Sequence, residues 1–224
     1  MTMSYIEASQ IIGGFSQTSK MPGWSWSLNA LACQTGSELA KIPGSVCNKC
    51  YALRGAYRYG NVQEAMNRRM EAAKHPQFED AFVKALEGVY GGTRKKYIMN
   101  GVERKENRFR FFDSGDLQSV EMLKTINRIA LRCPDLDMWL PTKEARYVTA
   151  FLAEGNVFAP NLTVRVSHPM VGQTFKKKPQ GCNFSTVGVT DAPANCPAYS
   201  NGNQCGDCRM CWDHTIEAIN YPLH

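Results

Sequence analysis

The alternation Arg108-Phe109-Arg110-Phe111 sets two phenylalanines on one side of an extended chain and two arginines on the other, and it predicts a strand over 108–113. From 117 to 132 the apolar period lengthens to about 3.6 residues, so Val120, Leu123, Ile126, Ile129 and Ala130 fall on one face of an amphipathic helix. A second strand is expected over 136–140. Thr142 is expected to cap a helix carrying Ala145, Val148, Phe151 and Leu152 that stops at Gly155, and Leu162, Val164 and Val166 mark a third strand over 161–167. Strand, helix, strand, helix, strand at this spacing requires two successive crossovers, which are right-handed and build a parallel sheet. The fold class is therefore α/β, a parallel sheet of successive βαβ units, either doubly wound or part of a barrel.

Two more helices precede this core. Asn61 followed by Glu64 carries a start signal for a helix to about His75, and Pro76 opens another through Phe78, Phe82, Val83 and Leu86 that Gly91-Gly92 ends. His75 at their junction is expected to hydrogen-bond a helix end. By contrast, 13–60 is rich in glycine, proline, serine and aromatics, without periodicity. An irregular stretch of that length in a compact domain is functional or is held by something other than backbone ladders. The 224 residues read as one domain: an irregular region (13–60), a helical pair (61–92), a parallel α/β core (108–190) and a cysteine-rich tail (191–224).

Parallel sheets and barrels bind ligands beyond the carboxyl ends of their strands. Those ends carry Asp113-Ser114-Gly115-Asp116, then Pro141-Thr142-Lys143, then Ser167-His168. Asp113 and Asp116 are candidate catalytic groups, Ser114 and Gly115 candidate cofactor contacts, the glycine because it lets backbone approach a ligand closely. Asp116 as a helix cap and His168 as a ring held by its own loop are the structural alternatives.

The chain holds nine cysteines, and their spacing changes the picture more than composition does. Cys205-x2-Cys208-x2-Cys211, with Cys196-Pro197 upstream, repeats the elements of a bacterial ferredoxin run in a different order. Successive three-residue steps crowd sulfurs onto one short turn, which suits the corners of an iron-sulfur cage. Zinc, with two separated knuckles, and disulfides or uncommitted thiols are the competing readings. Cys47-x2-Cys50, with Cys33 fourteen positions before Cys47, gives the irregular loop three thiols of its own. Seven cysteines form either two [4Fe-4S] clusters, the second with a fourth position open or filled by Cys182 or a strand-end acid, or one cluster drawing on both groups. Cys133, before Pro134 at a helix end, is expected to pack. The first residues have neither the basic start nor the apolar core of a secretory signal, and no run of about 18 apolar residues is present. A cytoplasmic chain with reduced thiols and no membrane span is the expectation.

The net charge of +6 is grouped as Arg94-Lys95-Lys96, as Arg104, Lys105, Arg108 and Arg110, and as Lys176-Lys177-Lys178. These groups are solvated faces or attract nucleic acid or an acidic host protein. The glycine loops of nucleotide-binding folds and the Gly-x-Ser-x-Gly elbow of hydrolases do not occur, and four separated histidines make no zincin helix.

Ser-Lys-Met-Pro-Gly (19–23), Cys33, Cys47-x2-Cys50-Tyr51-Ala52-Leu53, Tyr57-Arg58-Tyr59, Asp113-Ser114-Gly115-Asp116, Cys196-Pro197 and Cys205-x2-Cys208-x2-Cys211 occur in one order, over about 13–213. That combination resembles the gene product 88 family of bacteriophages and prophages, which implies a mobile-element origin. More distantly, a three-thiol loop before a parallel sheet resembles radical S-adenosylmethionine enzymes. That likeness implies an open-iron cluster on Cys33, Cys47 and Cys50 and a cofactor-gripping strand end at Ser114-Gly115-Asp116, although thirteen residues separate Cys33 from Cys47 where those enzymes have three. The expectations are thus an iron-sulfur redox or radical enzyme acting on a small molecule, or an iron-sulfur- or zinc-stapled binding module for nucleic acid or a host protein.

Overall fold

The alternating 108–111 segment finds a parallel partner on each side, and the sheet grows both ways from it. In a computed structural model, which describes residues 3–91, 96–99, 102–192 and 194–223 (of 96–99 and 102–104 the backbone alone), the elements follow in this order. Helix α1 (Tyr5–Ile11), strand β1 (Trp24–Trp26) and helices α2 (Gln34–Ala40), α3 (Gly60–Ala72) and α4 (Phe78–Tyr90) come first. A hairpin of β2 (Lys96–Met99) and β3 (Val102–Lys105) precedes β4 (Arg108–Phe111), α5 (Val120–Arg132), β5 (Asp137–Thr142), α6 (Ala145–Ala153), β6 (Leu162–Ser167), β7 (Asn183–Val187) and β8 (Ala218–Tyr221).

Six strands pair entirely in parallel, in the order β1-β4-β5-β6-β7-β8. Strand order never reverses, so there is no topological switch point. The sheet winds one way, as in part of a barrel, and the doubly wound alternative is corrected. Right-handed crossovers then put α5 and α6 on the same face. There they pack, with α1 and α4, onto Trp26, Phe109, Phe111, Met138, Leu140, Val164 and Val166.

The period-2 pattern gives the opposite face its own character. Arg110, Trp139, Thr163, Arg165, Ser185 and Ile219 stand there, with Trp212 and Cys211 from the β7–β8 connection packed on Trp139. Arg165 is fully buried. Its guanidinium donates to the carbonyls of Met210 (3.1 Å), Cys211 (3.1 Å), Asp213 (2.6 Å) and Ile216 (2.8 Å), which seats the cysteine-rich tail on the sheet.

Within 13–60, expected to be irregular, the structure has a short strand and a helix, β1 and α2. Three residues of alternation are too few to register as a period, and β1 forms because β4 offers it a parallel edge. The sixth strand, β8, lies within the tail. Helix α5 begins at Ser119, whose hydroxyl accepts the Met122 N–H at 3.1 Å, so Asp116 is not its cap. Thr142 likewise ends β5, and the cap position of α6 is Glu144. Asn61 lies inside α3 rather than at its cap.

Candidate functional site

The carboxyl ends of β1, β4 and β5 meet the loop that carries the first three thiols. Beyond β4 the chain turns sharply: Phe112 and Gly115 have φ of 56° and 76°, and a Cβ on Gly115 would lie 2.6–2.7 Å from Leu28. Only glycine fits there. Asp113 and Asp116, both 6% exposed, end up on the two sides of this turn.

Each carboxylate is already engaged. Asp113 accepts from the Ser27 hydroxyl and from the Tyr57 hydroxyl (3.0 Å), and its carbonyl accepts from Tyr51. Asp116 accepts from Thr142 Oγ1 (2.6 Å), the Lys143 N–H (2.8 Å) and the Leu117 N–H (2.8 Å), and so ties the end of β4 to the end of β5. Burial pushes Asp116 up to about 6 against the pull of those donors. Ser114 is buried beside them, and its hydroxyl has no hydrogen-bond partner among the described residues.

Three thiols face this edge. Burial raises Cys33 to about 12, and Asp116, Cys50, Cys47 and Glu144 push in the same direction. Cys47 is also raised by burial, with Lys143 opposing. Lys143 itself is lowered by burial and faces Cys47, Asp116, Cys50 and Cys33, so one ammonium stands among three sulfurs and a carboxylate. Glu144, fully buried, holds the Cys33 loop in place by accepting the Thr35 N–H (2.7 Å) and hydroxyl (2.8 Å) at the start of α2. Gly36 makes room for the Cys33 side chain: a Cβ there would lie 2.9 Å from the Cys33 Cβ, while meeting Cys33 Sγ (3.6 Å) and Cys47 Sγ (3.8 Å) at ordinary contact distance.

The other four form a separate group on the opposite face of the sheet. Burial raises Cys205 to about 11, with Cys196 and Cys208 adding to it, and raises Cys211 to about 12, with Cys196 and Cys205 as neighbours. Arg209 fastens the turn through Gly206 O (2.7 Å), Cys208 O (2.9 Å) and a buried ion pair with Glu106 at 2.7 Å. The seven sulfurs therefore divide as 33, 47, 50 and 196, 205, 208, 211. All nine thiols are free. Among the described residues, no group of three or more His, Cys, Asp or Glu side chains is arranged to hold a metal ion.

Between the two groups lies Arg110. Its guanidinium covers the Trp139 ring at 4.3 Å, donates to Met21 Sδ (2.8 Å) and Phe112 O (3.2 Å), and is stabilised in its charged form by Tyr51, Asp113, Tyr221 and Cys211 although burial opposes it. Arg108 pairs with Asp137 at 3.3 Å. These two arginines thus belong to the sheet and not to a basic surface patch. Lys178 pairs with Glu217 at 2.7 Å, while Arg94 and Lys95 and the side chains of Lys96 and Arg104 lie outside the described residues.

Cys182 packs against the main core and faces none of the other thiols, so it is not the fourth member of the first group. Cys133 is a core residue. His168 Nδ1 meets the backbone of Met170 at 3.1–3.2 Å, and His75 Nδ1 accepts the Gln77 N–H at 3.1 Å. Both rings serve their own loops. Sequence reasoning gave no role to Ser27, Lys143, Glu144 or Arg165. Only Arg165 left a mark, as a lone cation in the otherwise apolar run Leu162–Ser167.

A protein-family model described as gene product 88 matches residues 5–214. No curated protein matches the chain, and no solved structure does. Among the described residues, no helix is long and apolar enough to cross a membrane.

Proposed function

We propose, from the premise that this chain belongs to the gene product 88 family, that it is an iron-sulfur redox or radical enzyme whose reaction site lies at the carboxyl edge of the parallel sheet. The observation that carries the reading is the division of seven thiols into two groups, three half-buried at the strand ends and four on the far face, of which Cys211 is buried and the others half-buried. A zinc ion with bonds of 2.3 Å needs sulfurs about 3.8 Å apart, whereas a four-iron cage takes its thiolates from wider-spaced corners. What supports the cage is charge: each sulfur group has a cation beside it, Lys143 for the first and Arg209, Arg110 and Arg165 for the second, to offset the charge that thiolates bring.

When bound, such a cage supplies one-electron chemistry. The surrounding residues do the positioning. Glu144 fixes the Cys33 loop, and Asp116 locks two strand ends together. Gly115 lets the turn close against Leu28, and the unpartnered Ser114 hydroxyl offers a hydrogen bond to a small molecule lying there. S-adenosylmethionine is the molecule to test first, with Asp113 and Asp116 as the acidic walls of its pocket. The four-thiol group, with no open position, relays electrons or anchors the tail.

Oxygen-free purification followed by iron and sulfide analysis tests this. Two cages give about eight irons and as many sulfides per chain. Replacing Cys47 and Cys50 by alanine removes about half of the iron, and adding S-adenosylmethionine changes the paramagnetic spectrum of the reduced protein. Colourless protein of normal stability, or zinc without sulfide, overturns the proposal.

A further inference from the structure

The segment that brings Cys47 and Cys50 to the strand ends, where the proposed pocket lies, continues as an exposed lip of two short 3-10 turns, Tyr51–Leu53 and Gly55–Arg58. From Glu7 to Glu64 the chain has only one intervening carboxylate, Glu38, and Lys41 takes it at 2.9 Å. Lys49, Arg54 and Arg58 on the lip are exposed and have no acidic partner among the described residues. Lys74, Lys84 and Lys178 each hold a carboxylate at 2.7–3.2 Å, whereas Lys20, Arg68, Lys176 and Lys177 are exposed and, like the lip cations, have no ion-pair partner among the described residues. What sets the lip apart is that its cations alternate with open aromatic rings.

Open aromatic faces sit beside these cations, Tyr51 between Lys49 and Arg54 and Tyr59 directly after Arg58. Tyr59 is 64% exposed and Tyr51 54%. The Tyr51 ring lies open while its hydroxyl is sunk on the Asp113 carbonyl, and Tyr57 grips the Asp113 carboxylate from the same segment. The lip is thus pinned from below by the residues that shape the pocket.

We propose that this lip binds single-stranded nucleic acid and lays it across the strand-end pocket. Cations that no carboxylate neutralises track a phosphate chain, and π-faces between them stack bases without regard to sequence. A protein partner would instead meet an apolar centre depleted of charge. As a substrate assignment this rests on the pocket being the reaction site. As a binding surface it stands apart from it.

The test is fluorescence anisotropy of labelled single-stranded DNA and RNA oligonucleotides of mixed sequence over a range of salt, with iron measured on the same preparations. Each neutralised phosphate contributes about 0.7 to the slope of log affinity against log salt. The triple variant Lys49→Gln, Arg54→Gln, Arg58→Gln flattens that slope by about 2 and leaves iron unchanged. Tyr59→Ala weakens binding by about 5- to 100-fold, the range for one lost base stack. A control triple at Lys74, Lys84 and Lys178 removes the same charge and changes neither. If the control weakens binding as much as the lip variant does, or duplex binds better than single strands, the proposal is overturned. Colourless protein that still binds through the lip sinks the iron reading and supports the surface.

Discussion

The Cys211 thiol lies 3.2 Å from the Tyr221 hydroxyl, and through that contact the four-thiol tail is joined to a row of side chains crossing the sheet. Tyr221 stacks on Trp139 at 6.5 Å and 27°, Trp139 meets Trp212 edge-on at 5.3 Å, and Arg110 covers the Trp139 ring on its way to Tyr51 and the pocket. Trp139 is the one member that touches all the others. Trp139→Ala is expected to cost about 3–5 kcal/mol by chemical denaturation, as for a large aromatic removed from a packed site. Tyr221→Phe keeps the ring and loses one hydrogen bond, about 1 kcal/mol. Equal losses for the two would mean that the ring stack holds nothing together.

Arg165 gives a sharper expectation, because it is a single donor group serving four carbonyls of the tail. Arg165→Met keeps the apolar stem and strands those acceptors in a buried setting, where each unmade bond costs about 1–3 kcal/mol. A loss of at least about 3 kcal/mol is expected, with limited proteolysis now cutting between 188 and 217. If the urea midpoint drops but the cleavage sites stay elsewhere, the arginine is a core residue and not the seat of the tail.

How much of this was visible along the chain depends on the range of the interaction. The β4–α5–β5–α6–β6 stretch was legible because each element carries its own period, and Phe109 and Phe111 face the core as the alternation requires. Strands β1 and β8 were not, since three or four residues hold too little pattern and their pairing depends on an edge supplied from far along the sequence. At the site, the cysteine spacings gave the grouping of the thiols. Glu144 meeting Thr35 across 109 positions, or Asp113 meeting Ser27 across 86, has no local signature at all. Thr142 and Asp116 misled for a related reason: both types favour helix starts, yet here they bond each other at 2.6 Å.

Glu106 and Arg209, both nearly buried, are ranked by what each leaves behind. Glu106→Gln removes one charge and strands the arginine, a loss of about 3–5 kcal/mol for a broken buried pair. Arg209→Met should cost more, because the carbonyls of Gly206 and Cys208 lose their donor too. The order of the two urea midpoints checks this. A glutamate variant less stable than the arginine variant would show that the pair, rather than the turn, is what matters.

Gly36 separates the demands of the fold from those of the thiols. It lies within α2, where alanine is favoured over glycine by up to about 1 kcal/mol, so Gly36→Ala should by itself firm the helix. The new methyl, however, would stand 2.9 Å from the Cys33 Cβ and against the sulfurs of Cys33 and Cys47. The Cys33 Cβ must shift and carry its sulfur with it, and under the iron-sulfur proposal about half of the iron is lost with no fall in the thermal midpoint. Gly60→Ala at the start of α3, where a Cβ meets nothing within 4 Å, should alter neither iron nor the sulfurs. Iron that survives Gly36→Ala intact would mean that the place of the Cys33 side chain beside Gly36 is incidental, and the first thiol group would then have to bind its ligand in some other arrangement.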